Sequence, residues 1–138
     1  MSYPFSVGSS VAVTKTFTAQ EVEAFSQLSG DCNPLHLDPE YAKNTRFKRC
    51  VVHGALVNSL FSQLLGTKLP GEGAIYCQQD SVFTYPVYVG DEITALVEVA
   101  HIDQERHRVT LITKAENQDN KVVIEGKATV FYRMEGSL

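Results

Sequence analysis

An α+β domain is what this 138-residue sequence predicts. Residues 18–66 read as helical and hold the unusual polar clusters, whereas residues 74–132 are strand-like. Within the first half, residues 54–65 are apolar around nearly the whole helical circumference, which is the pattern of a buried helix. Consecutive strands joined by short turns favour antiparallel pairing, so the sheet is expected to curl around that helix. The length suits one domain spanning residues 1–138.

The elements follow in order. Residues 11–17 alternate apolar and polar and read as a first strand. Thr18 and Glu21 match a capping box, which opens a helix over residues 19–28 with Val22, Phe25 and Leu28 on its apolar face. Gly30 ends it. Pro34 turns the chain after Asn33, and Asp38 followed by Pro39 starts a short helix over residues 40–43. In the buried helix, only Asn58, Ser59, Ser62 and Gln63 interrupt the apolar coat, and Gly66 is expected to stop it. Strands are expected at residues 75–85, 92–102, 108–115 and 121–132. The breaks between them carry Pro86, Gly90-Asp91, Asp103 and Asn117–Asn120.

Composition narrows the function classes. With 43% hydrophobic and 20% charged residues, the chain is far from the disordered range. A net charge of -4 argues against non-specific nucleic-acid binding, which needs a basic stripe. No apolar run reaches the roughly 18 residues of a membrane span, and the first residues lack a signal-peptide pattern. Cys32, Cys50 and Cys77 form no C-x-x-C pair, so reduced thiols in a reducing compartment are expected. That compartment is the cytoplasm, or the mitochondrial matrix if a transit peptide has been removed.

The densest polar cluster is Gly30-Asp31-Cys32-Asn33-Pro34-Leu35-His36-Leu37-Asp38, between two expected helices. A turn there could bring the Asp31 carboxylate and the His36 imidazole to one point, a pair suited to general acid–base work on water. The alternative reading leaves Asp31 capping the turn and His36 partly buried. Val51-Val52-His53-Gly54 lies directly ahead of the buried helix. Free N–H groups at a helix start attract negative charge, and glycine lets a ligand approach the backbone. A carbonyl docked at Gly54 would have its developing oxyanion stabilised, although Gly54 also suits a plain tight entry to the helix. Ser62 needs a partner if its helix is dry: the carbonyl four residues back, Asp31, or a ligand. Arg46, Lys48 and Arg49 could meet a phosphorylated ligand, with a solvated basic patch as the default reading. His36, His53, His101 and His107 show no ligand spacing, so no metal is expected, nor any organic cofactor.

Taken together, these residues resemble the (R)-specific enoyl-CoA hydratases of the MaoC-like hot-dog superfamily. The match runs through Phe25, the D-x-N-P-x-H core from Asp31 to His36, Ala42, Phe47 and Val52-His53-Gly54. It continues through Ser62, Leu64-Leu65-Gly66, Pro70-Gly71 and Val89-Gly90-Asp91, nearly the whole chain. The resemblance implies a hot-dog fold, a long central helix wrapped by a curved antiparallel sheet, and a homodimer of two such sheets. It also implies reversible hydration of a trans-2-enoyl-CoA to the (R)-3-hydroxyacyl-CoA. Asp31 and His36 would activate one water and Gly54 N–H would polarise the thioester carbonyl. Asn33, His53, Ser62 and Leu65 would bind or position substrate. Cys32 and Ala55 depart from the residues common in that family and bear on substrate preference. Bulky Leu64 and Leu65 suggest a shallow pocket for short acyl chains. A hot-dog acyl-thioester hydrolase, a 3-hydroxyacyl-carrier-protein dehydratase and a non-catalytic acyl-carrier binding module are the competing readings, because fold alone does not decide the chemistry.

Overall fold

In the computed structural model, residues 3–133 are described. The chain runs β1 (Ser10–Thr16), α1 (Ala19–Ser29), α2 (Pro34–Leu37), α3 (Pro39–Lys43), α4 (Gly54–Thr67), β2 (Ile75–Phe83), β3 (Glu92–Asp103), β4 (Arg108–Glu116) and β5 (Val122–Phe131). The five strands form one sheet in the order β1-β3-β4-β5-β2, and every pairing is antiparallel. β3 and β4 alternate buried with more exposed residues over much of their length: Ile93, Ala95, Val97 and Val99 point inward from β3, and Val109, Leu111, Thr113 and Ala115 from β4. Their inward side chains meet Val57, Leu60, Phe61, Leu64 and Leu65 of α4 in one apolar core. This is the hot-dog arrangement that the sequence led us to expect.

The α1 capping box forms as its residues dictate. Glu21 N–H donates to Thr18 Oγ1 at 3.1 Å, and Thr18 N–H donates back to Glu21 Oε1 at 3.0 Å. Gly30 closes the helix at φ 82°, a left-handed conformation that glycine adopts without steric cost. The buried face holds Val22 and half-buries Phe25 as expected, but not Leu28. Leu28 is 86% exposed, and the buried positions are Val22 and Ser26. Ser26 is one turn on from Val22, whereas Leu28 is rotated roughly 120° away from it at 100° per residue. A serine holds that inward position because a buried partner, His53, faces its hydroxyl.

α4 also departs from expectation at two places. It runs through Gly66 to Thr67, because Leu64, Leu65 and Leu69 are all buried and anchor the last turn. A helical glycine costs only about 1 kcal/mol relative to alanine, less than those contacts supply. The sheet curls around α4, from the edge strand β1 to the opposite edge strand β2, but leaves one stripe of the helix bare. Ser59, Ser62 and Gln63 lie exposed with Gly66 in a stripe at helical spacing. Ser62 is therefore on the surface of the protomer rather than in a dry interior.

At the sheet edge, β2 is exposed along most of its length, with Ile75, Val82 and Phe83 all more than half accessible. Where β2 meets β5, Gly126 is required. A Cβ at that position would lie 1.8 Å from the Asp80 carbonyl oxygen.

Candidate active site

Three short pieces of chain converge beside the N-terminus of α4. The first is the turn after α1. Asp31 Oδ1 accepts from Asn33 N–H at 3.2 Å, and Asn33 Oδ1 accepts from Leu35 N–H at 3.0 Å, which caps α2. Pro34 occupies the first turn of α2, where its missing N–H costs nothing. The expected turn thus contains a one-turn helix that the sequence reading did not resolve. Asn33, expected to position substrate, spends its side-chain oxygen on this cap.

The second piece is the strand-like run into α4. Val51 bridges to Tyr88, and Val52 N–H donates to the Val87 carbonyl at 2.7 Å. The Val51 carbonyl then accepts from His36 Nδ1 at 2.7 Å. A carbonyl can only accept, so Nδ1 carries a proton and the neutral ring keeps its lone pair on Nε2. The third piece, Val89-Gly90-Asp91, is a turn that props the wall: Asp91 Oδ2 accepts from Tyr88 N–H at 2.9 Å, and Gly90 N–H donates to the Phe17 carbonyl.

His36 Nε2 and Asp31 Oδ2 stand 4.0 Å apart. The carboxylate is about half exposed and the imidazole largely buried. That separation is too long for a direct hydrogen bond and suits a single bridging water. Two hydrogen bonds of about 2.8 Å diverging from one oxygen by about 90–110° span roughly 4–4.6 Å. The fold thus joins two groups that lie on different sides of a turn in sequence.

A cavity of about 820 Å³ opens against His36, and Asp31 stands behind the imidazole without lining it. His36 and Gly54 line it together with Phe47, Val57, Phe83 and Tyr88, among others. Gly54 begins α4, where His53 provides no side-chain cap, so the first N–H groups of the helix lack an intrahelical partner. The glycine is needed for a further reason: a Cβ there would sit 2.7 Å from the Phe83 ring. Arg46 also lines the cavity and stacks over Phe47 at 4.7 Å, while Arg49 stacks over Tyr88 at 4.0 Å. These two cations are tied to aromatic walls, not merely solvated.

The remaining expected residues fall elsewhere. His53 is only 2% exposed and is not part of the cavity lining. Its Nε2 lies 3.1 Å from both Ser26 Oγ and the Asp31 carbonyl oxygen. Leu64 and Leu65, expected to floor a shallow acyl pocket, belong to the apolar core, and neither lines this cavity. Ser62 is exposed and does not line it either. Ligand atoms of Asp31, His36 and His53 come within 4.8 Å of one another, a grouping that sequence spacing did not reveal. His53 Nε2 is committed to Ser26 and to main chain, which leaves the Asp31 carboxylate and the His36 imidazole as a pair with His53 packed beside them. The sequence reading missed Ser26, Phe83 and Tyr88. Only Ser26 left a signal, as a polar residue one turn beyond Val22.

Fold and site together define a class: a hot-dog domain with a carboxylate–imidazole pair whose imidazole lines a cavity at the start of the buried helix. Residues 6–121 match the MaoC like domain family, and the chain belongs to that family. It is 48% identical to the (R)-specific enoyl-CoA hydratase of Aeromonas caviae over 90% of this chain and 92% of that protein. It is 42% identical to a mitochondrial 3-hydroxyacyl-[acyl-carrier-protein] dehydratase of Solanum lycopersicum, over 89% of this chain and 74% of the relative. The solved structure of the A. caviae (R)-hydratase involved in PHA biosynthesis superposes with a TM-score of 0.93 at 45% identity. That match covers 96% of this chain and 100% of the other.

Proposed function

We propose that this chain, acting as one domain, catalyses the reversible hydration of trans-2-enoyl-CoA to (R)-3-hydroxyacyl-CoA. The observation that carries the proposal is the Asp31–His36 pair, 4.0 Å apart beside a cavity that Gly54 also lines. The thioester carbonyl docks at Gly54 N–H, which draws charge from the double bond and makes C3 electrophilic. A water held between Asp31 and His36 Nε2 gives one proton to the pair as its oxygen bonds to C3. The π electrons move toward the thioester oxygen as an enolate. The pair then returns a proton to C2 on the same face, so one water is added in all. Asp31 and His36 act as one coupled acid–base unit. Asn33 holds the turn that presents Asp31. No cofactor enters the reaction.

Short to medium acyl chains are proposed as substrates, and CoA as carrier, because a relative 48% identical across most of both chains is a CoA-ester enzyme. The exposed apolar edge of β2 supports a homodimer in which the two sheets meet. Ser62 lies on the exposed face of α4 and would reach substrate only through a surface completed by the second subunit, whereas Leu65 is buried in the core and would not reach it. The free thiols of Cys32, Cys50 and Cys77 fit a cytoplasmic setting. Among the described residues, no helix is long and apolar enough to cross a membrane.

Crotonyl-CoA hydration tests the reaction. Loss of the conjugated thioester absorbance without thiol release, giving a product oxidised only by an (R)-specific 3-hydroxyacyl dehydrogenase, is expected. Thiol release from a saturated acyl-CoA would replace the proposal with a hydrolase.

A further inference from the structure

His53 is buried, carries two ring nitrogens and is not itself part of the cavity lining, although it packs against His36, which is. Its ring lies between two others. It stacks on His36 with centroids 3.8 Å apart and planes 25° from parallel, and Phe25 meets it edge-on at 4.8 Å. Nε2 reaches both Ser26 Oγ and the Asp31 carbonyl oxygen at 3.1 Å. The carbonyl oxygen can only accept, so Nε2 must carry a proton and share it between the two oxygens. Nδ1 is buried without a hydrogen-bond partner. A second proton there would create a buried cation with an unsatisfied N–H, against a ring that must itself exchange protons. The arrangement is therefore a neutral imidazole in the Nε2–H form.

That single ring touches both members of the proposed pair. It holds Asp31 through its main chain and His36 through its face. The other hydrogen bonds of Asp31 are local: its N–H to Ser29 and its side chain to Asn33. The bond to His53 ties Asp31 itself to the start of α4, beside the Leu35–Val51 and His36–Val51 bonds that tie the rest of the turn to the run ahead of it.

We propose that His53 is a positioning residue, a neutral spacer that sets the Asp31–His36 separation without contacting substrate. This rests on the reading of Asp31 and His36 as the reacting pair. The first test does not depend on activity. Nitrogen-15 NMR of the imidazoles at pH 7.5 is expected to show His53 protonated at Nε2 and bare at Nδ1, and the reverse form or a cation overturns the proposal.

The second test compares His53→Gln, whose amide nitrogen reaches the Nε2 position, with His53→Leu, which lacks any donor. A loss of kcat of about 100-fold is expected for Leu and about 10-fold for Gln, with KM for crotonyl-CoA within about 3-fold in both. A raised KM with kcat intact would make His53 a substrate contact and sink the proposal. Should the Leu variant not fold, the kcat–KM split of the Gln variant and the wild-type spectrum decide. If the wild type does not hydrate crotonyl-CoA, the reaction assignment fails, and the NMR result still judges the tautomer.

Discussion

Asp31 and His36 lie five residues apart, a spacing that neither a helix face nor a strand face brings together. Their meeting depends on Pro34, on the Asn33 cap, and on the Val51 carbonyl that orients the imidazole. The candidates were legible because an acid and a histidine flanked a proline turn. The orientation was not, since its partners lie 15 or more residues further on. Each group is expected to be essential. Asp31→Asn and His36→Gln should each lower kcat by at least about 100-fold, the usual worth of a general acid–base group. Circular dichroism should remain that of the wild type, because Asp31 is half exposed and His36 hangs on one main-chain bond. Activity near wild type in either variant would remove that residue from the chemistry.

At the scale of the element, the ends of the helices do more than their middles. Gly54 lines the cavity at the N-terminus of α4, and the proposed role of its N–H can be separated from the need for space. Phe83→Ala clears room for a Cβ at position 54, since the ring is what that atom would meet. In that background, Gly54→Pro removes the N–H while suiting the first helical position, and Gly54→Ala keeps it. The proline variant is expected to show kcat about 100-fold below the alanine variant, and equal rates would exclude Gly54 as the oxyanion donor.

The start of α1 has its own test. Lys15 bonds to Glu21, and with the Thr18 N–H it holds the Glu21 carboxyl below the usual carboxylate range. A lowered folded value means that this stabilisation is present at neutral pH and fades as acid protonates the carboxyl. Glu21→Gln keeps the capping geometry but not the charge. Its urea midpoint should fall below that of the wild type at neutral pH, and the gap should close as acid protonates the Glu21 carboxyl of the folded wild type. A constant gap as the pH falls would count against the ion pair.

For the whole molecule, the unpaired edge matters most. The strand β2 has β5 on one side only, and Ile75 and Val82 are more than half exposed along it. A sheet edge with apolar side chains invites pairing with another strand. Light scattering is expected to give twice the chain mass for the wild type. Ile75→Lys with Val82→Lys should shift it to the mass of one chain, since lysines on an edge discourage pairing. A wild-type monomer at micromolar concentration would overturn the dimer.

The alternation of strand residues, the α1 capping box and the apolar run of α4 determined the α+β class and most element positions from sequence alone. These are local signals: periodicity, caps and turn chemistry act within a few residues of themselves. The polar cluster between Asp31 and His36 was legible for the same reason. Only the tertiary structure decided that Ser26, not Leu28, faces inward, that α4 continues through Gly66, and that His53 is a support for the pair. Each of those depends on a partner distant in sequence: His53 for Ser26, Leu69 and the sheet for the last turn of α4, and the Asp31 carbonyl for His53. Burial and hydrogen-bond satisfaction are properties of the assembled chain, and no local pattern encodes which buried atom will find which partner.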